Sequence, residues 1–466
     1  MNTRKNYSRP LLALLLLVAG LAGAMRPHSV AAQSQPIPGS SLSWEYIPGT
    51  KTLSITGSGD MPDFAIFMNQ PWGAFREQIE TVTIGAGVTS VGKNAFLGCT
   101  ALTAVTLPSS VTTIGAFAFV SCKALTGITI PSGVKTIKES VFFSCTALTS
   151  VTLPEGLQTI GASAFLGCSL TNVTLPNSVT TMGEAAFHNC VSLTNVTLSD
   201  KLTTIEERVF NGCSQLKNVT IPNSVTTIGN GAFAQCKALK NVNVFWDTPI
   251  TIPADAFSGI ELNKVKLYVP AGKKGAYQAA DVWKGFDVQE IPEGTLSTGL
   301  HWQYIPSTKT LSITGSGAMP DFYSSMNQPW EPFQDEIETA TIGAGVTSVG
   351  KNAFTDCSAL TSITLPEGIQ TIGEAAFYNC AALASISIPN SVTAIADGVF
   401  ASCKAARQHH HPEQRHRDRR WRLRRLQGAD YRHPVRGPSN DRQERLPGLR
   451  GARQHLHPEE RHHDRE

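Results

Sequence analysis

Residues 145–167 read CTALTSVTLPEGLQTIGASAFLG, and the pattern returns along most of the chain. Its cysteine recurs as Cys99, Cys122, Cys145, Cys168, Cys190, Cys213 and Cys236, and again as Cys357, Cys380 and Cys403. The step is 23 residues within each block, shortened to 22 between Cys168 and Cys190. A phenylalanine stands three positions before each cysteine: Phe96, Phe119, Phe142, Phe165, Phe187, Phe210, Phe233, Phe354, Phe377 and Phe400. Self-similarity at a fixed period of this size marks a chain wound into stacked, near-identical coils.

Within one coil the residues divide by task. Leu148, Val151 and Leu153 have the spacing of a leucine-rich-repeat strand, and Pro154-Glu155-Gly156 turns the chain. Leu157 and Ile160 supply a second apolar segment, Gly161 breaks it, and Ala164-Phe165 returns the chain to the next strand. One coil cannot bury these groups alone. Stacked coils bury them against each other in a continuous column, with each strand parallel to its equivalent in the next coil. The expected fold is a β-rich (α/β-type) solenoid, a right-handed leucine-rich-repeat coil with parallel strands. The cysteines occupy one slot of the coil and read as small apolar fillers. A disulfide or metal framework is disfavoured, because no C-x-x-C and no ligand-spaced His accompanies them.

Between the strand's apolar residues lies an outward column: Thr106, Thr129, Thr152, Thr174, Thr197, Thr220, Thr364 and Ser387. β-branched residues suit the exposed side of a parallel ladder, and the strand face of a solenoid is commonly its binding face. The seven threonines are the candidate contact residues. A Thr grid is also found on ice-binding solenoids, but the neighbouring positions Ala104, Gly127, Ser150 and Asn172 vary too much for one.

The repeats fall in two blocks, each preceded by a near-identical segment. Residues 44–72 read WEYIPGTKTLSITGSGDMPDFAIFMNQPW, and residues 302–330 read WQYIPSTKTLSITGSGAMPDFYSSMNQPW, an offset of 258. With the β-type stretch at 52–56 and the aromatics Trp44, Tyr46, Phe64 and Trp72, these segments suit caps over the first coil's open core. A sugar-stacking role for Trp44 and Trp72 is the weaker alternative. The first block ends in LYVPAGKKGAYQAADVWKGF, residues 267–286, where Tyr268, Tyr277 and Trp283 are placed to close the last coil, with a short helix around 276–282. The expected organisation is two tandem solenoid units with small β-rich caps: a first N-terminal cap at 41–84, repeats at 85–260, a C-terminal cap at 261–292, a linker at 293–298, a second N-terminal cap at 299–342 and repeats at 343–404.

The two ends read differently. Arg4, Lys5 and Arg9 precede an apolar run from Leu11 to Ala22 that is too short to span a bilayer, with cleavage expected after Ala24 or Ala32. Residues 1–32 are therefore expected to be an export signal, giving a secreted or cell-surface protein that does not span the membrane after cleavage. From Ala405 to Glu466 there are 16 arginines and 9 acids, a net +7, so the rest of the chain carries −4 of the total +3. A mildly acidic body gives no ground for nucleic-acid binding. The 23-residue period survives in this tail as Ala406, Ala429 and Ala452. One choice of synonymous codons for Arg407–Arg419, RQHHHPEQRHRDR, gives ASITIPNSVTAIG when read from the second nucleotide, against ASISIPNSVTAI at Ala384–Ile395. Residues 421–434 likewise yield GAFAGCKALTTVTL and residues 452–466 yield LASIYIPKNVTTIG. Residues 405–466 are thus expected to be the product of a frameshift by one extra base, and to be disordered.

Catalytic motifs do not emerge. Gly87 to Asn94 and Gly345 to Asn352 imitate G-x-x-x-x-G-K, but Asn stands where a phosphate-binding loop needs Ser or Thr. Outside the tail the histidines are His28, His188 and His301, with no triad or metal-ligand spacing. No catalytic, cofactor-binding or metal residues are expected. Asn172, Asn195 and Asn218 head N-x-T sequons.

The unit LTSVTLPEGLQTIGASAFLGC, with the flanking ITGSGDMPDF, PWGAF and LYVPAGKKGAYQAADVWKGF, is similar to the repeats and flanks of BspA-like leucine-rich-repeat surface proteins of bacteria. The resemblance covers about residues 42–404. It implies an exported or surface-attached, adhesin-like binding protein with a protein partner: host matrix proteins such as fibronectin or fibrinogen, or another bacterium's surface. It defines no residue-level binding motif. A self-associating structural surface protein and a glycan-binding module are the alternatives.

Overall fold

A computed structural model describes residues 34–65, 69–296, 298–396 and 398–403, with the backbone of Trp421–Arg422. The expected export signal lies outside the described residues. So does the 405–466 tail, apart from Trp421–Arg422, whose backbone runs antiparallel to Ser385–Ile386. The chain forms a parallel-strand solenoid of about 13 turns with little helix. Each coil contributes to three ladders.

The front ladder is built from the strands that carry the Thr column. Thr52–Gly57, Thr81–Ile84 and Ala104–Thr106 form its first run. Gly127–Thr129 and Ser150–Thr152 form an isolated pair. Asn172–Thr174, Asn195–Thr197, Asn218–Ile221, Asn241–Val244, Lys266–Val269 and Asp287–Glu290 form a third run. Pairing is residue for residue, with Val196 opposite both Val173 and Val219. This register keeps every apolar side chain on the inner face, since a slip of one residue would turn all of them outward. The second ladder uses the T-I dipeptides, such as Thr136–Ile137 beside Thr159–Ile160.

The third ladder is made of tight turns. Asn94 (φ +58°) and Gly98 (φ +74°) sit at the third positions of turns closed by Ala95 N–H to Gly92 O at 3.3 Å and Cys99 N–H to Phe96 O at 3.1 Å. Positive φ at that position is the demand of a type II turn. Adjacent turns then bond across coils: Asn94, Phe96 and Gly98 N–H donate to the Ala116, Ala118 and Val120 carbonyls at 3.1, 2.8 and 2.8 Å.

The three ladders enclose a dry core. Phe96, Phe119, Phe142, Phe165, Phe187, Phe210, Phe233 and Phe257 stack in one column, neighbouring centroids 5.1–5.7 Å apart. Beside it runs a column of thiols. All ten cysteines are free and buried. Each thiol from the second coil of a block onward donates to a Phe carbonyl, as Cys145 Sγ does to Phe119 O at 3.0 Å and Cys168 Sγ to Phe142 O at 3.1 Å. The thiol thus fills an apolar slot while adding a second donor to a carbonyl that already closes a tight turn, as Cys122 N–H does to Phe119 O at 3.2 Å.

The hairpin of Leu42–Ile47 and Thr52–Gly57 brings Trp44 and Tyr46 to the near end, and the segment after it brings Trp72. Trp72 stacks on Phe96 at 5.8 Å, donates Nε1–H to Ala95 O at 3.0 Å, and meets Trp44 edge-on at 6.2 Å. Both tryptophans are buried, so neither offers a ring to a sugar. At the far end Phe286 and Trp283 meet Phe257 at 5.2 and 6.1 Å, and Tyr277 Oη–H donates to Trp246 O at 2.8 Å. The helix here is Lys274–Ala279, earlier than the expected 276–282, because Ala280 is already extended and Val282 has φ +66°. Glu293–Thr295, expected within a linker, is instead a strand paired antiparallel with His301–Ile305, and Gly294 leaves room there for the Trp302 ring. Gln35–Pro36 pairs in the same way with the first hairpin. Among the described residues two large apolar cores result, one from Ile37 to Val288 and one from Leu296 to Cys403, beside a small cluster of Leu97, Val120 and Phe143.

Candidate binding face

The alternation of the front strands sets the side chains. Ile128, Val173, Val196 and Val219 point inward and are buried, while the threonine one residue later in each strand points out. Thr106, Thr129, Thr152, Thr174, Thr197, Thr364 and Ser387 are exposed, and Thr220 is half-buried. The ladder brings them together in groups: Thr106 pairs with Thr83, Thr129 with Thr152, Thr174 with Thr197, and Thr364 with Thr341. Pairing does not connect Thr106 to Thr129, or Thr152 to Thr174.

The hydroxyls of Thr106, Thr129, Thr152, Thr174, Thr197 and Thr364 have no hydrogen-bond partner among the described residues. Neighbouring columns differ. Thr149 and Thr194 donate to the Thr126 and Thr171 carbonyls at 3.1 and 2.9 Å. Asn195 donates to Asn172 Oδ1 at 3.0 Å, and Asn241 to Asn218 Oδ1 at 2.7 Å. Those groups are satisfied within the solenoid, whereas the hydroxyls of the Thr column are not.

Two residues absent from the sequence-based set limit that column. Asn243 takes the Thr position in its coil, is fully buried, and donates to Thr220 Oγ1 at 2.8 Å. Ser307, at the tip of the second hairpin, donates Oγ–H to Asn243 Oδ1 at 2.8 Å. The second hairpin therefore sits over the end of the first block's face. Tyr268 follows Asn243 in the register and is also buried. Burial, then Asp287 and Glu336, push its phenol above the usual range.

His188 is held below the ordinary imidazole range by burial and by Arg208. No set of three or more His, Cys, Asp or Glu suited to a metal ion occurs among the described residues. The G-x-x-x-x-G-K imitation has a packing cause. A Cβ on Gly92 would overlap the Pro62 carbonyl, Lys93 N–H donates to Asp63 Oδ1 at 2.6 Å, and Asn94 Nδ2–H donates to Phe64 O at 2.8 Å. The segment is clamped beneath the hairpin cap. No helix among the described residues is long and apolar enough to cross a membrane.

Among solved structures, a leucine-rich repeat protein from Bacteroides ovatus is 24% identical, with 78% of this chain and 86% of that chain covered and a TM-score of 0.35. The leucine-rich repeat protein of T. pallidum is 30% identical over 44% of this chain and 91% of its own, with a TM-score of 0.35. A leucine-rich cell surface protein from Faecalibacterium prausnitzii is 22% identical over 81% of this chain and 94% of its own, with a TM-score of 0.31. No curated protein matches the chain. The family described as the BspA type leucine-rich repeat region matches in six copies, over residues 73–190, 158–272 and 333–417. These matches indicate a repeat family of binding scaffolds and no enzyme family. They span more than half of the sequence, and with the three ladders and the phenylalanine column they establish that the chain belongs to the BspA-type leucine-rich repeat family.

Proposed function

We propose that this is an exported, secreted or surface-attached protein of adhesin type, whose front strand face binds a protein ligand. The ligand is a host matrix protein, such as fibronectin or fibrinogen, or the surface of another bacterium. The observation that carries the reading is the set of exposed, unpartnered hydroxyls at Thr106, Thr129, Thr152, Thr174 and Thr197, in register as the pairs Thr129–Thr152 and Thr174–Thr197. A regular face held by a close-packed core presents contacts without paying to order them first. The basic and apolar sequence at Arg4 to Ala22 supports export. The glycan alternative leaned on Trp44 and Trp72, and both rings are inside the core.

The test is binding of the full chain to immobilised fibronectin, fibrinogen, collagen and laminin beside an inert control, with Thr152→Arg and Thr197→Arg as face variants. Saturable binding to one protein, weakened about tenfold or more by either arginine, is the expected result. Binding that survives both substitutions removes the face assignment. No binding to any of the four, with concentration-dependent assembly of the chain itself, favours the self-associating structural reading instead.

A further inference from the structure

The coils that close the first block carry charge where the earlier ones carry hydroxyls. Thr103, Thr149 and Thr194 stand just before their front strands, and each donates Oγ1–H to a carbonyl of the coil before it, at 2.9, 3.1 and 2.9 Å. Lys217 and Lys240 hold that position in the next two coils, where the backbone still bonds, Lys240 N–H to Lys217 O at 2.8 Å. The exchange loses a side-chain bond. It also sets two cationic side chains on adjacent positions of a parallel stack, where strands lie about 4.8 Å apart and like charges destabilise.

Two further lysines extend the row. Lys237 lies in the turn before Lys240, and Lys266 takes an outward position of the following strand, opposite Asn241. Lys217, Lys237, Lys240 and Lys266 are exposed, and none makes an ion pair among the described residues. Residues 209–246 contain no Asp or Glu, in a body that is otherwise net acidic. Lys264, by contrast, is paired with Glu261 at 2.6 Å. Asp287, opposite Lys266 in the register, accepts from Gln289 Nε2–H at 2.7 Å and ends the row. A lysine pair that weakens its own stack, with no carboxylate set to answer it, breaks the local rule in the way a binding site does.

We propose that this lysine row binds a sulfated polysaccharide laid along the solenoid axis. A lysine ammonium is a compact point charge that meets a tetrahedral oxyanion without a fixed fork geometry. Beside the row, Asn241 Nδ2–H donates to Asn218 Oδ1 at 2.7 Å, which leaves the Asn218 amide hydrogens and Asn241 Oδ1 for sugar hydroxyls. Two other polyanions fit worse. None of the exposed large apolar side chains lies in these coils, so an acidic peptide finds no place to anchor. No aromatic ring in residues 209–246 is exposed, so the bases of a single-stranded nucleic acid have nothing to stack on. The site goes beyond the protein-binding reading and is tested separately from it.

The experiment uses the full chain and a heparin oligosaccharide as probe, with desulfated heparin and poly-glutamate as counter-arms. Lysine acetylation read by mass spectrometry reports each side chain, and it is blind to residues 405–466, which hold arginines but no lysine. Heparin should slow acetylation of Lys217, Lys237, Lys240 and Lys266 about tenfold, leaving Lys123, Lys135 and Lys201 reactive. Affinity against salt is the second readout. The double variant Lys217→Thr with Lys240→Thr copies the earlier coils. It should weaken heparin binding about tenfold and flatten its salt dependence, with the melting temperature unchanged or raised. The footprint is read on the parent chain, so it decides even where the variant does not fold. Equal protection of every lysine, no protection of the four, or an affinity unchanged in the double variant each overturn the proposal. Equal protection by poly-glutamate or by the desulfated chain also overturns it, because sulfate is then not what the row reads.

Discussion

The Cys190 thiol donates to the Phe165 carbonyl at 3.2 Å, inside a core where burial pushes it up to about 12. Burial acts likewise on Cys99 and Cys236, each about 12, and on Cys403, about 11. In the unfolded chain these thiols titrate near about 8.5. Above that range the unfolded state has lost protons that the native state keeps. The stability linked to the raised values is thus complete below it and falls as pH rises. Denaturant midpoints should drop between about pH 8 and about pH 10.5, and Cys190→Ala should flatten that slope. Native protein should also resist thiol alkylation until it unfolds, and ready labelling under native conditions would contradict the buried assignment. A second consequence lies in the turns. Ala185 is held at φ +56°, where Gly231 and Gly398 stand in other coils. Ala185→Gly should therefore stabilise, by about 1 kcal/mol, against the usual direction of that substitution. Urea unfolding decides the sign.

The front strands show what the period conveys and what it does not. A residue type that recurs every 23 positions reports a recurring environment, so the buried Phe and Cys columns and the parallel stack were legible in the sequence. The turn ladder was not, because its positive-φ positions hold Asn94, Phe117, Ser140, Ala185 and Arg208, which share no chemistry. The outward threonines follow from strand alternation, yet the burial of Asn243 does not, since its partner Ser307 is 64 residues away. The break between Ser150–Thr152 and Asn172–Thr174 has a cause written locally in the chain. Cys168-Ser169-Leu170 is one residue shorter than Cys145-Thr146-Ala147-Leu148, so the strand is reached early. Inserting Ala between Ser169 and Leu170 should let the two strands pair. Slower amide exchange at Leu153 is the expected readout, because the equivalent amides of Ile130 and Leu175 already donate to the following coil at 3.0 and 2.9 Å, and unchanged exchange would show that the missing residue is not what breaks the ladder.

At the scale of the whole molecule, two cores are joined by polar contacts: Ser307 to Asn243, Gln303 Nε2–H to Glu293 Oε2 at 2.7 Å, and Tyr304 N–H to Pro292 O at 2.8 Å. Such a joint couples weakly compared with continuous apolar packing, and repeat arrays gain stability coil by coil from nearest-neighbour interfaces. The arrays also differ in their ends. The first phenylalanine column runs from Trp72 to Trp283 and Phe286. The second starts at Trp330 and reaches Phe400, beyond which no ring closes it among the described residues. We propose that residues from about Ala405 onward are read in a shifted frame, because one choice of synonymous codons for residues 421–434 lets the second frame read GAFAGCKALTTVTL, a further Phe-x-x-Cys coil. Heating should then give two transitions, the lower from the second block. Removing one base near the codons for Ala405 and Ala406 should raise that lower transition and leave the upper one in place, because each added coil supplies an interface that Phe400 lacks. Calorimetry of the two proteins is the check. A lower transition that does not move, or a gene whose second frame holds no repeats, would refute the shifted-frame origin of the tail.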